Sequence, residues 1–156
     1  MAISQYFVTG FVVPDLEAAV ADFTARLGVE FTPIQEADIS FDFGDHIEHV
    51  TPLRFVYSLG GAPHIELLES KPDGYYELKD GEGYIRHIGA WADDLAAESA
   101  KLSAAGMPLE AAGIVDGVSP AGYVFHTDAH GLRIELVDSA NRPGFEAWLA
   151  GGEFDL

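Results

Sequence analysis

The chain has 156 residues, of which 48% are hydrophobic and 22% charged, a balance typical of a globular protein with a substantial core. It contains no cysteine, which excludes disulfide bonds and thiolate metal sites. Eight lysines and arginines stand against 26 aspartates and glutamates, and the resulting formal charge of −18 opposes binding to nucleic acid or to anionic membrane surfaces. We therefore expect neither as a partner.

The N-terminal sequence MAISQYFVTG lacks the basic segment and the long apolar run of a secretory signal peptide. No other apolar run approaches the roughly 20 residues that a membrane-spanning helix needs. We expect a cytoplasmic protein that is not associated with a membrane.

The first predicted elements are a strand and a helix in the stretch GFVVPDLEAAVADFTARLG, residues 10–28. Asp15 is placed to cap the helix and Gly28 to end it. One face of this helix is apolar, formed by Leu16, Ala19, Val20, Phe23 and Leu27. Aromatic and β-branched residues then predict strands in LRFVYS (53–58) and PHIELLES (63–70).

The same order of elements returns in the second half of the chain. The stretch GAWADDLAAESAKLSAAG (89–106) predicts a strand and a helix capped by Asp93 or Asp94, and the strands GYVFHT (122–127) and LRIELVDS (132–139) follow. Asp94 lies 79 residues after Asp15 and Gly89 lies 79 residues after Gly10, a constant offset that indicates an internal duplication.

This duplication predicts the organisation of the chain. We expect a first βαβββ module at 1–72, a turn-rich linker at 73–83, a second βαβββ module at 84–140, and a C-terminal helix and tail at 141–156, all in one compact domain. In the tail, the amphipathic pattern predicts that Phe145, Trp148 and Leu149 pack inward.

One glutamate stands in the middle of the last strand of each module, Glu66 in PHIELLES and Glu135 in LRIELVDS. An ionised carboxylate in a buried strand costs several kcal/mol unless something compensates its charge. Side chains alternate along a strand, so both glutamates can point to one interior while their apolar neighbours pack behind them. A cation or a proton between the two carboxylates would remove their repulsion.

These modules resemble the vicinal oxygen chelate superfamily, which includes glyoxalase I, methylmalonyl-CoA epimerase, extradiol dioxygenases and bleomycin-resistance proteins. The resemblance runs from about Tyr6 to Ser139, and its carriers are FVVPDLEAA, PHIELLE, RHIGAWADDL and GLRIELVD. It implies an α+β fold in which tandem βαβββ modules form an open, cup-shaped mixed β-sheet, a half-barrel with the helices outside.

The resemblance also implies a metal site. Its ligands fall on Glu66, His87 and Glu135, and the remaining ligand position, where many relatives have histidine, falls on Val8. One divalent ion (Mn, Fe, Ni, Mg or Zn) is the expected cofactor, although the missing imidazole leaves a metal-free cup as an alternative.

Further roles follow from the same resemblance. Glu135 is the expected base, Glu66 moves the proton on the other face, and His126 is a candidate acid or hydrogen-bond donor. The alternative for His126 is a structural bond at the strand end, and His64 is more typical of a hydrogen-bonded wall than of a ligand. The residues expected to line the substrate site are Val8, His64, Trp91, Tyr123 and Phe55.

Three functions compete on this evidence. The first is a glyoxalase-like, metal-dependent lyase or an isomerase or epimerase that abstracts a proton next to a carbonyl. The second is a metal-free protein that sequesters a small molecule, similar to bleomycin-resistance proteins. The third, an extradiol dioxygenase, is disfavoured because only His87 stands at a position where that chemistry wants two histidines.

The expected partners are a small-molecule substrate or ligand and a second copy of the chain. The scarcity of basic residues disfavours a coenzyme A thioester and favours a neutral, apolar, oxygen-bearing compound. A homodimer is expected because the edges of an open half-barrel would be exposed.

Overall fold

The structure is a computed structural model that describes residues 5–154. Its strands are β1 (Tyr6–Val13), β2 (Gln35–Asp42), β3 (Ile47–Tyr57), β4 (His64–Glu69), β5 (Ile85–Ala92), β6 (Leu109–Gly113), β7 (Tyr123–Thr127) and β8 (Arg133–Asp138). Its helices are α1 (Leu16–Leu27), α2 (Leu95–Ala104) and α3 (Arg142–Leu149), and a 3-10 turn (Ser139–Asn141) precedes α3. No helix in the described range is long and apolar enough to cross a membrane.

Local chemistry sets the ends of the two larger helices. The Asp15 carboxylate accepts a hydrogen bond from the Ala18 amide at the start of α1, and Asp94 does the same for Ala97 in α2. Gly28 ends α1 with a φ of 67°, a left-handed conformation that favours glycine. Of the two caps proposed for the second helix, Asp94 is therefore the one used.

The strands form a closed eight-stranded barrel in the order β1-β4-β3-β2-β6-β7-β8-β5. β1 runs parallel to β4 and β5 runs parallel to β8, while the remaining neighbours are antiparallel. The two modules meet along β1 and β5, whose antiparallel pairing places Gly10 opposite His87 and Val8 opposite Gly89. This join puts the first and last strands of both modules side by side.

The prediction of an open, cup-shaped half-barrel is wrong, although the α+β class and the outer helices agree with it. β2 and β6 pair through Phe41 with Gly113 and Asp42 with Ala112, and this contact closes the sheet. Closure is a contact between the two modules, and side-chain periodicity within one strand carries no information about it. The seam is short, because the other strand pairs extend over three or more residue pairs.

Closure also removes the reason that led us to expect a homodimer. Each of the eight described strands has a neighbour on both sides, so this barrel has no free edge for a second copy to pair with. The homodimer itself stays a prediction, and it now needs another surface.

Aromatic side chains fill the barrel from two directions. Tyr75 and Tyr76, from the segment between the modules, are 7% and 4% exposed and pack against the fully buried Phe41. Phe145 and Trp148 of α3 are buried at 4% and 5% exposure, as the C-terminal pattern predicted. Parts of the chain that lie outside the strands therefore help to fill the interior.

We expect Phe41→Ala to lower the free energy of unfolding by about 3–5 kcal/mol, because it removes a ring that contacts side chains of both modules and of the segment between them. Urea denaturation would measure the change. Val118→Ala is the control, since Val118 is 61% exposed and its truncation should change stability by less than about 0.5 kcal/mol. Equal effects of the two substitutions would contradict this account of the core.

Candidate active site

Glu66, His87 and Glu135 converge inside the barrel from β4, β5 and β8. The His87 Nε2 atom lies 3.2 Å from Glu66 Oε2 and 3.3 Å from Glu135 Oε2. The His87 and Glu66 residues are only 3% and 7% exposed, and the Glu135 side chain is 14% exposed. The structure thus brings together the three side chains expected to hold a metal.

Two glycines make room for this convergence. Gly10 of β1 lies opposite both Glu66 of β4 and His87 of β5, and a Cβ atom at this position would overlap the His87 imidazole. Gly89 of β5 lies opposite Glu135 of β8. At the centre of the barrel, a side chain larger than hydrogen at position 10 would expel the imidazole.

The first module repeats this arrangement with an apolar residue. A Cβ atom at Gly89 would overlap Val8 Cγ1, just as one at Gly10 would overlap His87. Val8 is fully buried. It packs over Gly89 in the same way that His87 packs over Gly10. The site has one imidazole where the duplication offers room for two.

The electrostatics of the cluster follow from burial and from the two carboxylates. Burial lowers the pKa of His87, but the negative charges of Glu135 and Glu66 outweigh it and raise that pKa to about 9. Burial raises the pKa of Glu135, an effect that His87 opposes and that the charge of Glu66 increases. In the metal-free protein, His87 is therefore positively charged at neutral pH.

The two glutamates differ in how they are held. The Tyr57 hydroxyl donates a hydrogen bond of 2.6 Å to Glu66 Oε1, which leaves Oε2 facing His87. On the second module, the residue opposite Glu135 is Phe125, which has no hydroxyl to donate. Its ring instead lies edge-on to His87, with 5.3 Å between the ring centres. Glu66 is thus anchored by a side chain on its neighbouring strand, and Glu135 has no equivalent anchor among residues 5–154.

The donor set fits a divalent metal ion. Ligand atoms bound at about 2.1 Å to one ion lie roughly 3 Å apart when they are adjacent, close to the distances of 3.2 and 3.3 Å from His87 Nε2 to the two carboxylates. All three ligand atoms lie within 4.8 Å of one another. Both ring nitrogens of His87 are buried and have no aligned hydrogen-bond partner among the described residues, although Nε2 lies within ion-pair distance of both carboxylates. A buried polar atom without a partner is costly, and a metal at Nε2 would remove that cost there.

His126 and His64 make hydrogen bonds outside the cluster of Glu66, His87 and Glu135. His126 is fully buried on the other face of β7, where Nε2 lies 2.9 Å from Ser99 Oγ of α2 and Nδ1 lies 2.8 Å from the Met107 carbonyl oxygen. It does not join the cluster. The His64 Nδ1 atom donates a hydrogen bond of 2.8 Å to the Ser58 carbonyl oxygen. This bond fits the expectation that His64 is a hydrogen-bonded residue of the site wall and not a metal ligand.

The aromatic residues expected to line the site lie in the barrel core, at different places. Trp91 stacks on Phe7 with 4.0 Å between ring centres. Phe55 lies edge-on to Tyr57, with 6.1 Å between centres, so it is one ring removed from the cluster. Tyr123 contacts Phe125, the residue opposite Glu135.

Sequence reasoning missed Tyr57 and Gly10. The strand pairings place Tyr57 in the first module where Phe125 stands in the second, and only the structure provides these pairings. Gly10 was used only as a marker of the repeat, although its place opposite the two ligand-bearing strands is what the site requires.

The chain belongs to the Glyoxalase/Bleomycin resistance protein/Dioxygenase superfamily, whose sequence profile matches residues 9–125. This match confirms the resemblance that the repeated motifs indicated. No curated protein matches the chain significantly in sequence.

Several solved structures are similar in fold. A methylmalonyl-CoA epimerase in complex with methylmalonyl-CoA and NH4+ is 22% identical, with 87% of this chain and 94% of the epimerase covered at a TM-score of 0.58. A variant of the Streptomyces coelicolor methylmalonyl-CoA epimerase, in complex with 2-nitronate-propionyl-CoA, is 23% identical, with 87% and 97% covered at a TM-score of 0.57. The methylmalonyl-CoA epimerase from Mycobacterium tuberculosis is 21% identical, with 88% and 91% covered at a TM-score of 0.55.

We expect Gly10→Ala to lower the free energy of unfolding by about 1–3 kcal/mol, because the added methyl group overlaps the His87 ring in a packed interior. Chemical denaturation would measure the loss. The matched control is Gly83→Ala, since a Cβ atom there meets nothing within 4 Å. If Gly10→Ala is as stable as the control, His87 does not occupy the place described.

The metal-free protein should lose stability as the pH rises from about 6.5 to about 9. The folded-state pKa of His87 is raised from 6.5 to about 9, so its charged form stabilises the fold fully below pH 6.5 and no longer does so above pH 9. In EDTA, we expect the melting temperature to fall by roughly 5–10 °C across this range. His87→Gln should show a much flatter profile, and an equal fall in this variant would contradict the assignment.

Proposed function

We propose that the protein is a metal-dependent enzyme of the isomerase, epimerase or lyase kind that abstracts a proton from a carbon next to a carbonyl group. The observation that carries this proposal is the cluster itself. Two carboxylates face one imidazole inside an apolar barrel, at distances that suit a shared divalent ion. Membership of the superfamily and the fold of the epimerases support the proposal.

Glu66, His87 and Glu135 would hold the metal. When bound, the ion supplies a Lewis acid that polarises substrate oxygens and stabilises the charge that develops when the carbon loses its proton. The hydrogen bond from Tyr57 fixes Glu66 through Oε1, so that Oε2 remains directed at the centre of the cluster. The chain therefore supplies one anchored carboxylate and one carboxylate with more freedom.

Glu135 is the base in this proposal. Burial raises the pKa of its carboxyl group, which makes its carboxylate a stronger proton acceptor than an ordinary glutamate. The proton moves from the carbon to a Glu135 oxygen, and the electron pair of the broken C–H bond moves into the enolate. Return of the proton to the opposite face inverts the carbon centre, and its return to the neighbouring carbon gives an isomer. Glu66 contacts the same His87 Nε2 atom from β4, whereas Glu135 contacts it from β8, and Glu66 carries out the return to the opposite face.

The substrate of this chain is smaller and less charged than the coenzyme A compounds bound in two of the epimerase structures. Coenzyme A carries phosphates, which need free basic side chains. Several of the basic residues here already form ion pairs with carboxylates: Arg54 with Glu17 and Glu69, Arg133 with Glu110, and Lys101 with Glu98. A neutral α-hydroxycarbonyl compound suits the charge of −18 better.

A second candidate function is sequestration of a small molecule without a metal. One observation favours it: protonated His87 lies between the two carboxylates and compensates their charge by itself. The dioxygenase is not favoured, because the described cluster contains one histidine and two glutamates instead of two histidines and one carboxylate.

Metal content distinguishes the first two candidates. We expect the untagged protein, incubated with Mn²⁺ and then desalted, to retain about one equivalent by mass spectrometry, because three ligands from separate strands are already in place. Glu135→Gln should lose most of the metal. The matched control Glu69→Gln should keep it, since Glu69 is on the same strand as Glu66 but pairs with Arg54.

Solvent exchange would then test the chemistry. The metal-loaded protein should catalyse the exchange of the hydrogen next to the carbonyl of hydroxyacetone for deuterium from D2O, as followed by NMR, and Glu135→Gln should abolish it. Failure to retain Mn²⁺, Fe²⁺, Ni²⁺, Mg²⁺ or Zn²⁺ would overturn the enzyme proposal in favour of metal-free binding.

A further inference from the structure

We infer that Phe145 occupies the position of an aromatic ring of the substrate, and that the segment carrying it, residues 142–154, is a lid over the site. The inference rests on the proposed function, which it deepens by naming the substrate class as an α-hydroxycarbonyl compound that bears an aryl group.

The Phe145 ring lies inside a box of other rings. The distances between ring centres are 5.0 Å to Tyr57, 5.5 Å to Phe7, 5.5 Å to Trp91 and 5.7 Å to His64. All four contacts are edge-to-face, with interplanar angles of 78°, 78°, 68° and 79°. This arrangement suits a flat aromatic ring, because each edge-to-face pair adds about 0.5–1.5 kcal/mol beyond the area it buries.

The box adjoins the candidate metal site. Tyr57 forms one of its walls, and the hydroxyl of the same residue donates to Glu66. His64 forms another wall two residues before Glu66, and thus on the same face of β4. A substrate whose ring replaced Phe145 would therefore carry its oxygen atoms next to the carboxylates.

Two segments cover the barrel, and the lid is the one that can separate from it. Among the described residues, no hydrogen bond or ion pair joins residues 143–154 to a strand of the barrel, so this segment is held by apolar and aromatic packing. The other covering segment, between the two modules, is held by polar bonds. The Tyr75 hydroxyl donates a hydrogen bond to Glu110, and the Tyr75 carbonyl oxygen accepts one from Arg86. Apolar contacts alone can re-form around a ligand without leaving polar groups unpaired.

A pocket of about 390 Å³ marks the boundary along which the lid would separate from the barrel. Its walls come from both sides, with Thr32, Pro33 and Gln35 on the barrel and Trp148 and Phe154 on the lid. The second pocket, of about 310 Å³, lies around Arg86 and Arg133 and does not reach the lid. The lid therefore borders an existing pocket along which it can separate from the barrel.

Two ketones that differ only in their ring test the inference. 2-Hydroxyacetophenone carries a phenyl group where hydroxyacetone carries a methyl group, and both present the same two oxygens. We expect the Mn²⁺-loaded protein to bind the aryl compound at least about tenfold more tightly in calorimetry, because only its ring can replace Phe145 in the box.

Phe145→Ala should increase this preference by about a further tenfold, since the aryl compound no longer competes with a ring of the chain. A small apolar cavity left by truncation readily takes up an aromatic molecule. The matched control is Phe23→Ala, which removes a ring that packs between Phe11 and Phe31, outside the box, and should leave the preference as it is in the unaltered protein.

Hydrogen exchange of the unaltered protein gives a test that does not depend on how well a variant folds. Peptides covering residues 142–154 should exchange faster when 2-hydroxyacetophenone is bound and should be unaffected by hydroxyacetone, because only the ring displaces the lid. Binding of the aryl compound with unchanged exchange in these peptides would overturn the inference, as would equal affinities for the two ketones in Phe145→Ala.

The same comparison in EDTA separates this inference from the proposed function. If the protein retains no metal but Phe145→Ala is stabilised against heat by the aryl ketone and not by hydroxyacetone, the box is a ring-binding site and the enzyme proposal alone fails. If the metal binds and the protein shows no preference for the aryl compound, the inference fails and the proposed function stands.

Discussion

The rest of this structure depends on burying two carboxylates in one interior. Glu66 and Glu135 enter the barrel from the last strands of the two modules, and their mutual repulsion must be compensated inside a medium that screens charge poorly. His87 lies between them at 3.2 and 3.3 Å, and it reaches that point only because Gly10 has no side chain. A divalent ion and a proton on His87 are the two ways in which this cluster can be neutralised.

The two modules place equivalent strands around the site, but residues at equivalent positions differ between the modules, and the site is therefore asymmetric. Val8 stands over Gly89 where His87 stands over Gly10, so only one module contributes an imidazole. Tyr57 anchors Glu66, whereas Phe125 stands opposite Glu135 and offers no hydrogen bond. Two carboxylates at equivalent positions of the repeat are therefore held in different ways.

The closed barrel changes how a ligand would be admitted. An open cup would leave the cluster accessible, whereas here the pairing of Phe41 with Gly113 and of Asp42 with Ala112 completes the ring of strands. Aromatic side chains from outside the strands then fill the interior, and His87 is left 3% exposed. Access to the cluster therefore depends on a covering segment, and the two covers differ in whether polar bonds hold them.

The sequence by itself determined the duplication, the helix cap at Asp15, and the inward direction of the two glutamates. These features depend on residues close in the chain, through the alternation of side chains along a strand and through capping bonds within one turn. The common site of Glu66, His87 and Glu135 was also predictable, through the family resemblance. Only the tertiary structure decided that the barrel closes, that Tyr57 bonds to Glu66, that His126 faces α2 and that Tyr75 and Tyr76 enter the core. Each of these depends on which distant segments become neighbours, and a pattern within one segment does not encode its neighbours across the fold.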